Sequence, residues 1–124
     1  SNNKRILVID DDPQICMLIC DWLNEYGYNA KSAQDASAGL KLCRSESQDL
    51  VICDLIMPDK EGLETITELR RDYPDLKIIA ISVGIGNKPQ DFLQIAKHLG
   101  ANRCFSKPFS FKELLKAVQE LLES

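Results

Sequence analysis

Short apolar runs that alternate with segments of helical period constrain this chain's fold more than any other feature. Ile6-Leu7-Val8-Ile9 is a β-branched run too short for a helix and polar only at its ends, and Leu50-Val51-Ile52-Cys53 repeats the pattern. Such runs are strands buried on both faces, the kind found in parallel sheets. Residues 77–81 make a further buried strand ending on Ser82, residues 28–32 a weaker one, and residues 103–106 a short last one.

Five helices fill the intervals. Asp12 reads as an N-cap with Pro13 at the first helical position. Ile15, Ile19, Trp22, Leu23 and Tyr26 follow at helical spacing, Gly27 closes the helix, and Trp22 is expected in the core. Asp35 caps a second helix with Ala36, Leu40 and Cys43 facing inward. Leu63, Ile66 and Leu69 mark a third, ended near Tyr73-Pro74 because the residue before a proline resists the helical region. Phe92, Ile95, Ala96 and Leu99 give a fourth, stopped by Gly100, with His98 placed as a surface cation near its end. Ser110 and Glu113 form a capping box for the fifth, whose stripe is Leu114, Ala117, Val118, Leu121 and Leu122.

Strict alternation of this kind implies an α/β fold, a parallel sheet with helices on both faces. Ligands of such sheets bind beyond the carboxyl ends of the strands, where strand order reverses. The residues at those ends are Asp10 and Asp11, Asp54, Ser82 and Lys107, so three carboxylates, a hydroxyl and an amine are expected to converge. Clustered carboxylates repel unless a cation intervenes. Oxygen ligands with few protein contacts suit Mg²⁺, which keeps its waters and binds one or two carboxylates plus a phosphate oxygen. Such an ion, with Lys107 and the Ser82 hydroxyl, would bind a phosphoryl group at Asp54, and carboxylates are known phosphoryl-accepting nucleophiles.

Composition sets the outer bounds. A chain of 124 residues fits one compact domain, residues 1–124, and its net charge of -4 argues against non-specific nucleic-acid binding. No apolar run reaches the roughly 20 residues of a membrane span, and no signal-peptide pattern is present. The start at Ser1-Asn2-Asn3 without a Met reads as left by cleavage, so residues 1–3 are expected to be a remnant or disordered, and loss of neighbouring domains is left open. The five cysteines (Cys16, Cys20, Cys43, Cys53 and Cys104) are odd in number and lack a CxxC, which points to buried free thiols in a reducing cytoplasm.

Taken in order, Ile6-Leu7-Val8-Ile9-Asp10-Asp11-Asp12-Pro13, Asp54-Leu55-Ile56-Met57-Pro58 with Gly62, Ser82, Gly100-Ala101 and Phe105-Ser106-Lys107-Pro108-Phe109 resemble a receiver domain of bacterial two-component response regulators, of the chemotaxis-regulator-like kind. The resemblance covers nearly the whole chain. It implies a doubly wound five-stranded sheet of order 2-1-3-4-5 in a flavodoxin-like three-layer sandwich. It implies a cytoplasmic phosphorelay protein, not an enzyme beyond self-catalysed phosphotransfer and autodephosphorylation. By the same resemblance, Asp54 is the phosphoacceptor, Asp10, Asp11, Asp54 and the Ile56 backbone carbonyl hold Mg²⁺, and Lys107 contacts the phosphoryl oxygens. Ser82 is the switch hydroxyl, Phe105 the aromatic that turns inward behind it, and Lys107-Pro108 is cis, while Asp12 is assigned to capping. The implied partner is a histidine kinase or phosphotransfer protein. The face made by helix four, strand five and helix five could dimerise or bind a target, with no direct contact to nucleic acid or membrane.

Two departures stand out. Val83 follows the switch serine where the family usually has a smaller residue, and the stretch from Ser82 to Lys107 is longer than usual, with the surplus assigned to the loop containing Gly84 and Pro89. They motivate an alternative, a phosphorylation-independent interaction module with a receiver fold. A Mg²⁺-dependent phosphohydrolase is disfavoured because Ile56 stands where a second acid would follow the nucleophile. A flavin-binding relative is disfavoured because no Ser/Thr/Gly-rich loop follows the first strand.

Overall fold

The computed structural model describes residues 3–56, 62–83 and 89–123. Five strands and five helices alternate: β1 (Arg5–Ile9), α1 (Pro13–Glu25), β2 (Asn29–Ala33), α2 (Ala36–Ser45), β3 (Leu50–Asp54), α3 (Gly62–Asp72), β4 (Lys77–Val83), α4 (Pro89–Leu99), β5 (Arg103–Lys107) and α5 (Phe111–Glu123). The strands form one parallel sheet in the order β2-β1-β3-β4-β5. This is the flavodoxin-like arrangement expected from the alternation and the resemblance.

The central strands read as unbroken apolar runs because each feeds two cores. Successive side chains of a strand point to opposite faces. Ile6, Val8, Ile52, Ile79 and Ile81 pack with Cys16, Ile19 and Leu23 of α1 and Leu114 and Val118 of α5. Leu7, Ile9, Val51, Cys53, Ile78 and Ala80 pack on the other face with Leu40, Cys43, Ile66, Leu69 and Ala96. Four cysteines are buried, as expected, but Cys104 is only half-buried, because β5 is an edge strand.

The helix starts follow the sequence. Asp12 accepts from the Gln14 amide at 2.9 Å, Asp35 from the Ala38 amide at 2.7 Å, and the Ser110 hydroxyl oxygen from the Glu113 amide at 3.4 Å. Gly62 begins α3 so close to the end of β3 that an added Cβ would lie 2.3 Å from the Leu55 Cα. A clamp unforeseen in the sequence joins α3 to the far end of α4. Arg70 donates to the carbonyls of Gly100 at 2.7 Å and Pro74 at 2.8 Å and to Asn102 Oδ1 at 3.1 Å.

Several expectations are corrected. Trp22, expected in the core, is 46% exposed, and its ring meets Phe111 of α5 edge-on at 83°. The inward face of α1 is Cys16, Ile19, Cys20 and Leu23, which turns Trp22 and Tyr26 toward solvent. Ile95 on α4 is likewise exposed, while Ala96 beside it is buried. Strand β4 runs through Ser82 to Val83, and β5 extends to include Lys107. Leu121 and Leu122 are half-buried at the end of the α5 stripe. Met57, Pro58, residues 84–88 and the side chains of Val83, Pro89 and Phe92 lie outside the described residues.

Candidate functional site

Strand register builds the site. Ile9 lies opposite Cys53, so Asp10 and Asp54 come next at the carboxyl ends of adjacent strands. This is also where strand order reverses, since β2 lies on one side of β1 and β3 on the other. On β4, Ile81 is the partner of Asp54, and Phe105 is the partner of Ile81 on β5. Asp54, Ile81 and Phe105 therefore form one row across the sheet. Ser82 is one step further along β4, and Lys107 pairs with Val83.

Asp10, Asp11 and Asp54 each place one carboxylate oxygen within 4.8 Å of those of the other two. Asp10 and Asp54 are buried, and Asp11 is exposed. Two carboxylates at 4.8 Å repel by roughly 3 kcal/mol at an effective dielectric of about 20. Lys107 offsets this by donating to Asp10 Oδ2 at 2.9 Å and to Asp54 Oδ2 at 3.3 Å. Burial pulls the Lys107 ammonium toward losing its proton, but the hydrogen bond to Asp10 and the two carboxylate charges outweigh it and hold its pKa above the ordinary value. Burial pushes the Asp54 carboxyl upward, and neither the Ile56 amide nor Lys107 fully reverses that.

Two backbone amides complete the arrangement. The Asp12 amide donates to Asp10 Oδ1 at 2.9 Å, and the Ile56 amide donates to Asp54 Oδ1 at 3.1 Å. Both bonds run from residue i+2 back to an aspartate at a strand end, a local turn that aspartate favours. That habit is the sequence signal for these two bonds. The Cys16 thiol, on α1, donates to the Asp10 carbonyl at 3.3 Å, a contact with no signal in the sequence.

The structure thus joins Asp10, Asp11, Asp54 and Lys107, with Lys107-Pro108 cis. Ser82 is fully buried on the neighbouring strand, and Phe105 is half-buried against the α1/α5 core. An all-oxygen set with one open side suits a hard divalent cation that keeps most of its waters. The acids therefore fit Mg²⁺.

The sequence profile of the response regulator receiver domain matches residues 6–119. Sporulation initiation phosphotransferase F of Bacillus subtilis is 31% identical over 97% of this chain and 94% of its own length. The alkaline phosphatase synthesis transcriptional regulatory protein PhoP, also of Bacillus subtilis, is 31% identical over 97% of this chain but only 49% of its own length. The chain spans about half the length of several transcriptional regulators that it matches. Among solved structures, a CheY-like receiver domain protein of Methanospirillum hungatei superposes with a TM-score of 0.89 at 28% identity, covering 98% of this chain and 95% of that one. Response regulator TrrA of Thermotoga maritima, solved in complex with Mg²⁺ and BeF, gives a TM-score of 0.83 at 37% identity over 96% of this chain and 99% of that one. With this fold and this acidic strand-end site, the chain belongs to the response regulator receiver domains of two-component signalling, regulatory modules rather than free-standing enzymes.

Proposed function

We propose that residues 1–124 form one Mg²⁺-dependent receiver domain whose Asp54 accepts a phosphoryl group from a histidine kinase or phosphotransfer protein. The observation that carries this reading is the meeting of three carboxylates within 4.8 Å, two of them hydrogen-bonded to Lys107. In the transfer, a carboxylate oxygen of Asp54 bonds to phosphorus as the bond from phosphorus to the donor's imidazole nitrogen breaks. Asp10, Asp11, Asp54 and the Ile56 carbonyl are the proposed Mg²⁺ ligands; when bound, the ion supplies positive charge toward the phosphoryl oxygens. The Ile56 amide holds the Asp54 carboxylate in one orientation, and Lys107 meets the incoming phosphoryl oxygens.

The switch is assigned to Ser82 and Phe105. The Ser82 hydroxyl bonds the phosphoryl group, and Phe105, two positions before Lys107 on β5, repacks toward the space behind it. The face of α4, β5 and α5 then binds a target or a second copy of the chain. Support from relatives is of two kinds: a phosphotransferase by name, and a regulator crystallised with Mg²⁺ and BeF. A net charge of -4 supports an output through protein contacts rather than direct nucleic-acid binding, and no helix among the described residues is long and apolar enough to cross a membrane. The alternative of a phosphorylation-independent module draws on the Val83 side chain and residues 84–88, which lie outside the described residues.

The test is intact-mass measurement after incubation with Mg²⁺ and acetyl phosphate, and separately with a cognate kinase. A single phosphoryl adduct is expected, absent in Asp54→Asn. Failure of every donor to modify the wild type overturns the proposal.

A further inference from the structure

Among the described residues, four of the five large apolar side chains left exposed belong to one helix or its cap: Met17, Leu18 and Trp22 of α1, and Tyr26. Scattered apolar side chains need no explanation, but a contiguous patch rimmed by polar residues marks a contact surface. Leu18 and Trp22 border a groove of about 270 Å³ between α1 and the start of α5, whose other walls are Ile15, Ile19, Phe109 and Phe111. Charge flanks the groove on both sides. Trp22, which meets Phe111, lies on the α5 side of α1. Since α1 buries Cys16, Ile19, Cys20 and Leu23, at about 3.6 residues per turn Asp21 and Glu25 face outward beyond Trp22, away from α5. Helix α5 buries Leu114, Leu115, Ala117 and Val118, which turns Lys112 and Lys116 outward. All four charged side chains are exposed, and none forms an ion pair with another described residue.

We infer that this face pairs with the same face of a second copy of the chain, about a two-fold axis parallel to the helices, so that the acidic ridge of α1 lies on the basic ridge of α5. Register carries the inference. Helices α1 and α5 follow strands of one parallel sheet and pack on the same side of it, so they run in the same direction. The contact of Trp22 with Phe111, ring centroids 3.6 Å apart, sets their levels. Asp21 is next to Trp22 and Lys112 next to Phe111, and Glu25 and Lys116 each follow four residues later. The two acids therefore match the two bases in spacing and in height, and the two-fold makes both matches twice. The other isologous arrangement, with the axis across the helices, sets α1 on α1 and opposes Asp21 and Glu25 to their own copies, which like charges disfavour. Leu18, 64% exposed at the rim, is the side chain placed to enter the groove of the second copy. The opposite flank of α5, where Glu120 meets Arg103 of β5, stays free for the output contacts proposed above. The pairing needs no phosphoryl group and goes beyond that proposal.

The experiment is sedimentation equilibrium of the unphosphorylated protein from about 5 to about 500 µM, a range suited to a small interface. The wild type is expected to pass from monomer to dimer across it. Lys112→Glu/Lys116→Glu and Asp21→Lys/Glu25→Lys each oppose like charges at both halves of the contact. Each variant alone is expected to dimerise at least about tenfold more weakly. Mixed in equal amounts, the two variants regain opposite charges at both halves, and the mixture is expected to dimerise as the wild type does; this rescue also shows that both variants fold. A wild type that stays monomeric throughout overturns the inference and leaves the face to a partner of another kind. A Lys112→Glu/Lys116→Glu variant that dimerises as well as the wild type overturns it too, in favour of α1 on α1 or of another face. Dimerisation lost in both variants and not restored on mixing contradicts the pairing of α1 with α5. Trp22 is the only tryptophan, so the unaltered protein carries its own reporter. Its emission is expected to shift to shorter wavelength as the dimer forms, and constant emission across a monomer-to-dimer transition contradicts burial of this face.

Discussion

At Asp54, burial outweighs the hydrogen bond from the Ile56 amide and the charge of Lys107, so its carboxyl holds a proton above the ordinary 3.8. The native state then binds protons more readily than the unfolded chain between 3.8 and the raised value. Stability therefore falls as pH rises through that window, and the loss persists above it. Asp54→Asn is expected to stabilise the fold at neutral pH by about 1 kcal/mol, seen as a higher melting temperature by circular dichroism in the absence of divalent cations. The gain should shrink as pH is lowered through the window toward 3.8, where the native carboxyl is itself protonated; a gain that does not change with pH contradicts the argument. Lys107 works in the opposite sense. Its raised pKa adds stability that is fully present below 10.5 and is lost as pH rises through the raised value.

Among the elements, α3 and the end of α4 are joined by one side chain. Arg70 reaches Gly100, Asn102, Tyr73 and Pro74, and Asn102 Oδ1 also accepts from the Ile78 amide at 2.8 Å, so the clamp continues into the ladder of β4. Arg70→Ala leaves several carbonyls without this partner and is expected to cost about 2 kcal/mol in urea unfolding. Arg70→Lys should recover little of it, because an ammonium cannot fork between two loops. A loss below about 0.5 kcal/mol for the alanine variant would show that water serves these carbonyls equally well. This clamp also marks the limit of what the sequence disclosed. Strand ends, caps and glycine stops depend on neighbours in the chain, and Asp12, Asp35 and Gly100 were legible for that reason. Which side of α1 faces inward was not. Ile15, Cys16, Met17, Leu18, Ile19, Cys20, Trp22 and Leu23 wrap most of the helix in apolar side chains, and only packing selects Cys16, Ile19, Cys20 and Leu23. Arg70 was illegible because Gly100 and Asn102 lie about 30 residues away and most of its partner atoms are backbone carbonyls, which leave no trace in residue type.

Across the whole molecule, both cores hang on the same central strands. Ile52 of β3 belongs to the α1/α5 core, and its neighbour Val51 to the core under α2, α3 and α4. Neither core can be lost alone without stripping one face of the sheet, so unfolding is expected in a single step. Ile52→Ala should cost about 3 kcal/mol and shift the urea transitions of Trp22 fluorescence and far-UV circular dichroism together. Separated transitions would mean that the two faces unfold independently. The same sheet carries Asp10, Asp54, Ser82 and Lys107 to its carboxyl end, which is why the acidic site could be foreseen from strand endings alone. The double engagement of Lys107 could not, since it depends on atomic positions at that end of the sheet. The central claim is that this end of the sheet exists to place a phosphoryl group on Asp54. It is tested most directly by treating the protein with acetyl phosphate and Mg²⁺, reducing with borohydride, and mapping peptides by mass spectrometry. Reduction of an aspartyl phosphate leaves homoserine, and the account predicts it at position 54 alone and only when Mg²⁺ is present; homoserine at Asp10 or Asp11, or none at any position in a protein that has bound Mg²⁺, contradicts it.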